Sequence, residues 1–397
     1  MLSAMLPGIG IFGTGPLARN LVAILKVCGF SVTAVWSRSL NDAEQFSKEM
    51  DIAFFTNNVD GLLLKPEVQC IVVACTPHFQ SHMAGKAMGI GKHVIATWPA
   101  GTTQFETLKM VKRSLYYPSL FTMMCHGLRF LPAYKLMRQN IRDGCIGKLY
   151  LFEVKVHVQS QQSSYSWRCD SLMGGGALSL HGSYIIDIIS YLSGEQAIAV
   201  NGMMKTYSRY LDNASGVREV TCDDFCTFQM ELPSGASVSC TINTHMNGST
   251  SHELIAVGSS GRLIINDLDL FLQLNDQKEV TILHKERQNE DKEQNLQHST
   301  ESKYVETGRV PYMAGLEKAL RTVADAFQAV EAMHEWKDEL VAEKATFDDA
   351  LYVQTVIDSI KESNKSKRWV NVNILDEEPD PNPHLSIVVR RNAFATY

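Results

Sequence analysis

No apolar run in the 397 residues reaches the ~20 needed to span a membrane. Basic residues are not in excess: Lys plus Arg is 37 against 43 Asp plus Glu, a net charge of −6. A mildly anionic surface is not drawn to phosphate backbones or acidic lipid, so neither nucleic acid nor membrane is an expected partner. Cysteine is present nine times, but its spacing offers no zinc site: Cys222 and Cys226 lack a second pair at ligand spacing. An odd count of scattered cysteines reads as free thiols in a reduced, cytoplasmic setting. Three glycosylation sequons, at Asn213, Asn247 and Asn364, give the only pull toward secretion, and such short motifs arise by chance. Met5–Phe12 lacks the basic flank of a signal peptide and is broken by Pro7, Gly8 and Gly10. No internal repeat is present. What remains is an ordinary globular composition, 45% hydrophobic and 20% charged, with length for two or three domains.

The first 125 residues alternate strand-like and helix-like segments. The strands are Ile9–Phe12, Ser31–Trp36, Ala53–Thr56, Cys70–Cys75, His93–Ala96 and Phe121–Cys125. The helices are Ala18–Val27, Asp42–Met50, a short one around Leu62–Leu64, Ser81–Met88 and Gln104–Ser114. Repeated βα units predict a doubly wound parallel sheet of Rossmann type. After Gly147 the pattern alternates with period two. In Leu149–Val158 the expected inward set is Tyr150, Phe152, Val154, Val156 and Val158. Further strands are expected at Phe225–Leu232, with Phe225, Thr227, Met230 and Leu232 as apolar-face residues, and at Ser237–Thr244, Glu253–Gly258 and Leu263–Asn266. Helices are expected at Tyr184–Leu192, Met313–Met333 and Thr346–Ile360, one of which returns to the first domain. The fold class is therefore α/β: a Rossmann domain over residues 1–126, then a C-terminal α+β domain with a large, mostly antiparallel open sheet over 127–370, then a tail over 371–397. Lys285–Lys303 is almost wholly polar and reads as a mobile loop, and the proline-bearing end as a strap.

Chemistry concentrates at the strand ends. Phe12 leads into Gly13-Thr14-Gly15-Pro16-Leu17-Ala18, which fits G-x-G-x-x-G/A between a strand and a helix. Such a turn lets backbone N–H groups approach a pyrophosphate at the helix N-terminus, while Ala18 allows close helix–strand packing. The second strand ends at Ser37 and Arg38 without the acid that usually meets the adenosine ribose. A hydroxyl and a guanidinium suit a 2′-phosphate, which favours NADP(H) over NAD(H), unless Arg38 is simply a surface arginine. Thr76, Pro77 and His78 end the fourth strand and should border the cofactor, with His82 one turn further on. His78 and His82 lack the third ligand that a metal would require.

These features resemble the glucose–fructose oxidoreductase/inositol dehydrogenase family. The resemblance runs from Gly8 to about Asn371. It rests on the glycine turn, Ala74-Cys75-Thr76-Pro77, Gly91-Lys92-His93-Val94, Arg129-Phe130-Leu131-Pro132 and Gly144-Cys145-Ile146-Gly147. It continues through Trp167-Arg168-Cys169-Asp170, Gly174-Gly175-Gly176-Ala177-Leu178 and Gly258-Ser259-Ser260-Gly261. Met5–Gly10, Leu128–Ala133, Tyr184–Asp187 and Asp223–Cys226 resemble the animal branch of glucose–fructose oxidoreductase domain-containing proteins. The resemblance implies that Thr97, Trp98, Pro99, Trp167 and Arg168 border the cofactor. Arg168 could instead pair with Asp170. It also implies a homodimer through the C-terminal sheet.

The resemblance breaks at the acid–base groups. Active members carry Glu-Lys-Pro where this chain has Thr97-Trp98-Pro99. Their Asp-x-Gly-x-His-x-x-Asp lines up with Leu180, Gly182, Tyr184 and Asp187. An indole N–H does not exchange a proton at physiological pH. Tyr184 stands as the catalytic candidate, with a phenol pKa near 10 unless a cation lowers it. His181 is either a replacement base or a structural histidine. Three readings follow. One is an NADP(H)-binding protein without hydride transfer, which senses or scaffolds. Another is an active oxidoreductase on a sugar, polyol or small carbonyl compound using Tyr184. The third is a secreted interaction protein.

Overall fold

The computed structural model describes residues 6–159, 165–213, 216–246, 248–286, 311–333 and 342–377. The expected polar loop after Lys285 and the terminal strap fall largely outside them.

Six parallel strands form the first sheet: β1 (Ile9–Phe12), β2 (Val32–Trp36), β3 (Phe54–Thr56), β4 (Cys70–Val73), β5 (His93–Ala96) and β6 (Thr122–Met124). Their order is β3-β2-β1-β4-β5-β6, the doubly wound arrangement whose order reverses beside β1. Between them run α1 (Pro16–Val27), α2 (Leu40–Glu49), α3 (Val59–Leu63), α4 (Pro77–Gly89) and α5 (Gln104–Tyr116). β1 and β4 are buried on both faces, as a parallel sheet covered by helices requires. Local signals set the helix starts. Ser39 accepts from Asp42 N, Asn58 accepts from Asp60 N, and Pro occupies the first turn of α1 and α4.

A 3₁₀ turn at Gly127–Phe130 and α6 (Pro132–Arg142) lead into the second sheet. Its strands are β7 (Leu149–His157), β8 (Ala199–Lys205), β11 (Phe225–Glu231), β12 (Ser237–Asn243), β13 (Ser251–Gly258), β14 (Gly261–Asn266), β15 (Asp269–Leu274), β16 (Thr281–His284) and β17 (Val370–Asn371). The order is β16-β15-β14-β13-β7-β12-β11-β8-β17, antiparallel except where β7 meets β12. β9 (Tyr210–Asn213) and β10 (Gly216–Glu219) make a separate hairpin. Helices α7 (Ser183–Ser193), α8 (Pro311–Met333) and α9 (Phe347–Ser366) complete the chain. α9 starts with a capping box in which Thr346 and Asp349 satisfy each other.

Two inward sets differ from the sequence pattern. Phe152, Val154 and Val156 are buried, but Tyr150 is exposed at the register shift between Val257 and Gly258, where no residue of β13 pairs with it. In β11 the buried residues are Cys226, Phe228 and Met230, while Phe225 and Thr227 face the open side. An aromatic and a β-branched residue suit either face of a strand, so the pattern alone left the phase of β11 open.

α8 does not join the sheet that precedes it in sequence. Leu316, Ala319, Leu320, Val323 and Phe327 pack into the core formed by Ile9, Ile11, Val35 and Ile95. The crossing is close because Gly127 and Gly315 face each other; a Cβ on Gly315 would collide with the Gly127 carbonyl. This return places the start of α8 between the two sheets. The segment Ser171–Ser193 is the one described stretch long and apolar enough to span a membrane by length and composition, and 72% of its window is buried within the protein. No group of three or more metal-ligating side chains occurs among the described residues.

Candidate active site

The turn after β1 is built for close approach. Gly13 has φ +122°, and a Cβ there would collide with the Ala74 carbonyl. A Cβ on Gly15 would meet no atom within 4 Å, so packing does not demand that glycine. Gly15 is also the N-cap of α1, without side-chain capping and without an acid in the first turn. Its backbone N–H groups therefore face open space at the positive end of the helix. A helix start of this kind favours an anionic group. Phe12 and Ala18 are fully buried and support the turn from beneath, with Phe12 edge-on to Trp36 at 5.5 Å. Thr14 O accepts from Arg19, and Leu17 is half-buried.

Ser37 is buried at the end of β2 and Arg38 is exposed. The Arg38 guanidinium lies 5.4 Å from the centre of the Phe79 ring. Phe79 in turn packs on His78 at 4.1 Å. Arg38 and burial together lower the His78 pKa, with burial the larger cause. Phe79 went unremarked in the sequence because it is one ordinary aromatic inside a helix. Pro77 is buried, Thr76 is the N-cap of α4, and His82 is exposed on the same helix. Thr97 is turned into the sheet: its hydroxyl donates to Val73 O (3.1 Å) and accepts from Gln80 Nε2 (2.7 Å). Its side chain is thus a strut holding the ends of β4 and β5 together.

Trp98 follows at the end of β5, joined to Pro99 by a cis peptide bond. Its ring is 6% exposed, and its Nε1 is buried without a hydrogen-bond partner. The ring meets His126 edge-on at 6.0 Å and Tyr184 at 6.4 Å. Tyr184 lies just after a π-helical turn at Leu178–Gly182 and packs on Tyr312, brought in by α8, at 4.5 Å. Such turns are often found at functional sites. Burial pushes the Tyr184 phenol well above its ordinary range, and nearby Cys125 adds to the effect. Among the described residues no cation opposes this shift. Tyr312 also touches His181 (5.9 Å) and His252 (5.7 Å). Tyr312 Oη, His181 Nδ1 and His252 Nε2 are all buried without partners. Burial holds both histidines near pKa 4, with Arg168 contributing at His181, so both are neutral at pH 7.

Beneath lies a buried ion network. Arg129 donates twice to Asp187, at 2.8 and 2.6 Å, and stands 3.3 Å from Asp349. His126 donates Nε2–H to Tyr184 O (3.3 Å), and burial lowers its pKa to about 4. Arg129, Asp187 and Asp349 come from the 3₁₀ turn after β6, from α7 and from α9, so the network ties these three elements together just beyond the last strand of the first sheet. Trp167 and Arg168 sit on a 3₁₀ turn whose backbone is clamped: Arg168 O accepts from Gly176 N (3.1 Å) and from Cys222 Sγ (3.1 Å). The pairing of Arg168 with Asp170 does not form; Asp170 Oδ1 instead accepts from Leu172 N.

A doubly wound nucleotide-binding sheet joined to an open-faced α+β domain, with the cleft between them, is the architecture of a nicotinamide-dependent oxidoreductase. Residues 8–115 match the profile described as "Oxidoreductase family, NAD-binding Rossmann fold", and residues 138–372 match "Oxidoreductase family, C-terminal alpha/beta domain". The chain belongs to this glucose–fructose oxidoreductase/inositol dehydrogenase (Gfo/Idh/MocA) family. It is 38% identical over 396 residues to "Glucose-fructose oxidoreductase domain-containing protein 1" of Xenopus tropicalis, covering 99% of this chain and 100% of that protein. It is 37% identical to the human "Glucose-fructose oxidoreductase domain-containing protein 2", covering 98% and 99%. The fold also matches that of an oxidoreductase domain protein from Kribbella flavida, with TM-score 0.76, 19% identity and coverage of 93% and 100%. Levoglucosan dehydrogenase in complex with NADH and L-sorbose matches equally, with TM-score 0.76 and 19% identity over 93% and 99%.

Proposed function

We propose that this protein binds NADP(H) and lacks the hydride-transfer activity of its family. The observation that carries this reading is Trp98. A buried indole stands where active relatives place a lysine, and it fills the space beside Tyr184 with a group that holds its proton. Leu180 stands in place of the family aspartate, and Tyr184 is driven away from a working pKa by burial. When bound, the nicotinamide supplies a hydride donor or acceptor. The residues of this chain hold it without handling the accompanying proton.

Gly13, Thr14, Gly15, Leu17 and the first turn of α1 would take the pyrophosphate. The open space before Gly15 supports this. Ser37 and Arg38 would take the 2′-phosphate, with adenine between Arg38 and Phe79; no acid competes at the end of β2. Thr76, Pro77, His78 and Pro99 would line the path to the nicotinamide, with Trp98, Trp167 and Arg168 around its far end. His82 is exposed one turn beyond and would meet the cofactor only at its rim.

We also propose a homodimer through the open face of the second sheet. Ile255, Ile264, Phe271 and Ile282 form one row across β13, β14, β15 and β16 on that face. Such a stripe is more apolar than a solvated sheet face requires. The nine free cysteines accord with a cytoplasmic setting.

The test is to titrate purified protein with NADPH and NADH, then assay cofactor reduction over a panel of sugars and polyols. Tight NADPH binding with no turnover is expected. Turnover that disappears in Tyr184→Phe would establish the active-enzyme reading instead.

A further inference from the structure

The nine-stranded sheet ends in β17, a strand of only two residues. Val370 and Asn371 pair with Val200 and Ala199 of β8, and Val372 N donates to Ile198 O. In an antiparallel ladder, residues that bond to one neighbour alternate with residues whose N–H and C=O point to the other side. Val372 bonds toward β8, so the backbone groups of Asn371 and Asn373 face outward. No strand covers them among the described residues. An edge of this kind is a template for a further strand.

Beside the edge lies an open groove of about 790 Å³. One wall is formed by residues 196–199 with Glu231, the other by residues 371–374. Ile198 and Ile374 are exposed on these walls. Glu231 is exposed too, and its carboxylate pairs with no cation among the described residues. The groove thus offers two isoleucines, one unpaired acid and an open ladder edge.

The chain carries a segment that matches these three features. It continues beyond Glu377, the last described residue, to Tyr397. Pro379, Pro381 and Pro383 come first, and proline does not donate to a ladder. Leu385-Ser386-Ile387-Val388-Val389 follows, a run rich in β-branched residues, and then Arg390 and Arg391. In an extended chain Leu385, Ile387 and Val389 share one face. The link back to β17 is long enough, since paired strands lie ~4.8 Å apart and each extended residue spans ~3.3 Å. A tether this short holds the segment at a high effective concentration, which favours the chain's own tail over that of a second copy.

We propose that residues 385–389 add to the outer edge of β17 as a further strand of the same chain. Their apolar face lies on Ile198 and Ile374, and the arginines that follow meet Glu231. The added strand guards an edge that would otherwise recruit other extended segments. This assignment is independent of the cofactor reading.

Hydrogen–deuterium exchange of the full chain, read by mass spectrometry, tests it. The amides of residues 385–389 are expected to exchange roughly tenfold or more slower than an unstructured chain. Ile387→Asp should release them, together with the amides of Asn371 and Asn373, and Glu231→Arg should weaken the same protection. A labelled synthetic peptide of residues 384–392 should bind the Ile387→Asp chain, whose edge is vacated, and not the unaltered protein. Unprotected tail amides in the unaltered protein, protection that survives Ile387→Asp, or equal peptide binding by both chains would overturn the proposal. Protection that fades on dilution would overturn it as well, because the strand would then come from a second copy.

Discussion

Arg38 illustrates how much one side chain can set. Its charge lies over Phe79 at the end of β2, where no acid faces an adenosine ribose. Arg38→Glu should therefore invert the cofactor preference. A carboxylate repels the 2′-phosphate and accepts from free ribose hydroxyls, so NADPH affinity should fall ~100-fold while NADH affinity holds or rises. Fluorescence titration with both dinucleotides checks this. At Trp98 the matching trial is Trp98→Lys with Leu180→Asp. Measurable sugar or polyol oxidation in the double variant would show that these two losses silenced the site; continued silence would point to the Tyr312 ring packed on Tyr184 as a further obstacle. Both positions were legible in the sequence, because they fall within motifs whose spacing is local.

At the scale of elements, two glycines separate ligand binding from packing. Gly15 has an extended backbone and open space before its Cα. Gly15→Val should abolish dinucleotide binding yet move the melting temperature little, since nothing is displaced. Gly127 lies against the backbone of α8, where a Cβ would come within 2.6 Å of Tyr312 O. Gly127→Ala should destabilise by about 2 kcal/mol or more and loosen the seating of α8, read by thermal unfolding. The helices and the parallel strands were readable from periodicity and from caps such as Ser39 and Thr346. The phase of β11 was not, since Phe225 and Phe228 suit either face equally. β8, β9, β10, β15 and β16 escaped notice because their alternation is weak and their outward residues are mixed.

Across the whole molecule, buried charge and buried neutral histidine govern stability. Arg129, Asp187 and Asp349 join the turn after β6 to α7 and α9 through one network. Arg129→Met leaves Asp187 buried and unpaired, and should cost about 3–5 kcal/mol in urea unfolding. His252 is held near pKa 4 by burial, against 6.5 when exposed. Its folded pKa is depressed, so the unfolded chain takes up its proton first. That stability is fully present above pH 6.5 and is lost as pH falls toward 4, a contribution of roughly 3 kcal/mol. His181 and His126 act in the same direction. Stability should therefore fall steeply from pH 6.5 to 4, and His252→Asn should reduce that slope by about one proton.

The sequence by itself determined the two-part architecture, the glycine cradle, the choice of residues at the end of β2 and the tryptophan at the end of β5. Each of these depends on neighbours within a few residues, where backbone geometry and spacing dictate the outcome. Only the tertiary structure decided what surrounds Trp98. Tyr184 meets its ring, and Tyr312 and His252, far from it along the chain, stack behind Tyr184. They come together because α8 crosses back over Gly127 and because His252 lies on the buried face of β13. The same folding left Arg168 unpaired with Asp170, two residues away in sequence, which caps the following 3₁₀ turn instead. Proximity along the chain offered that pair; the geometry of the turn refused it.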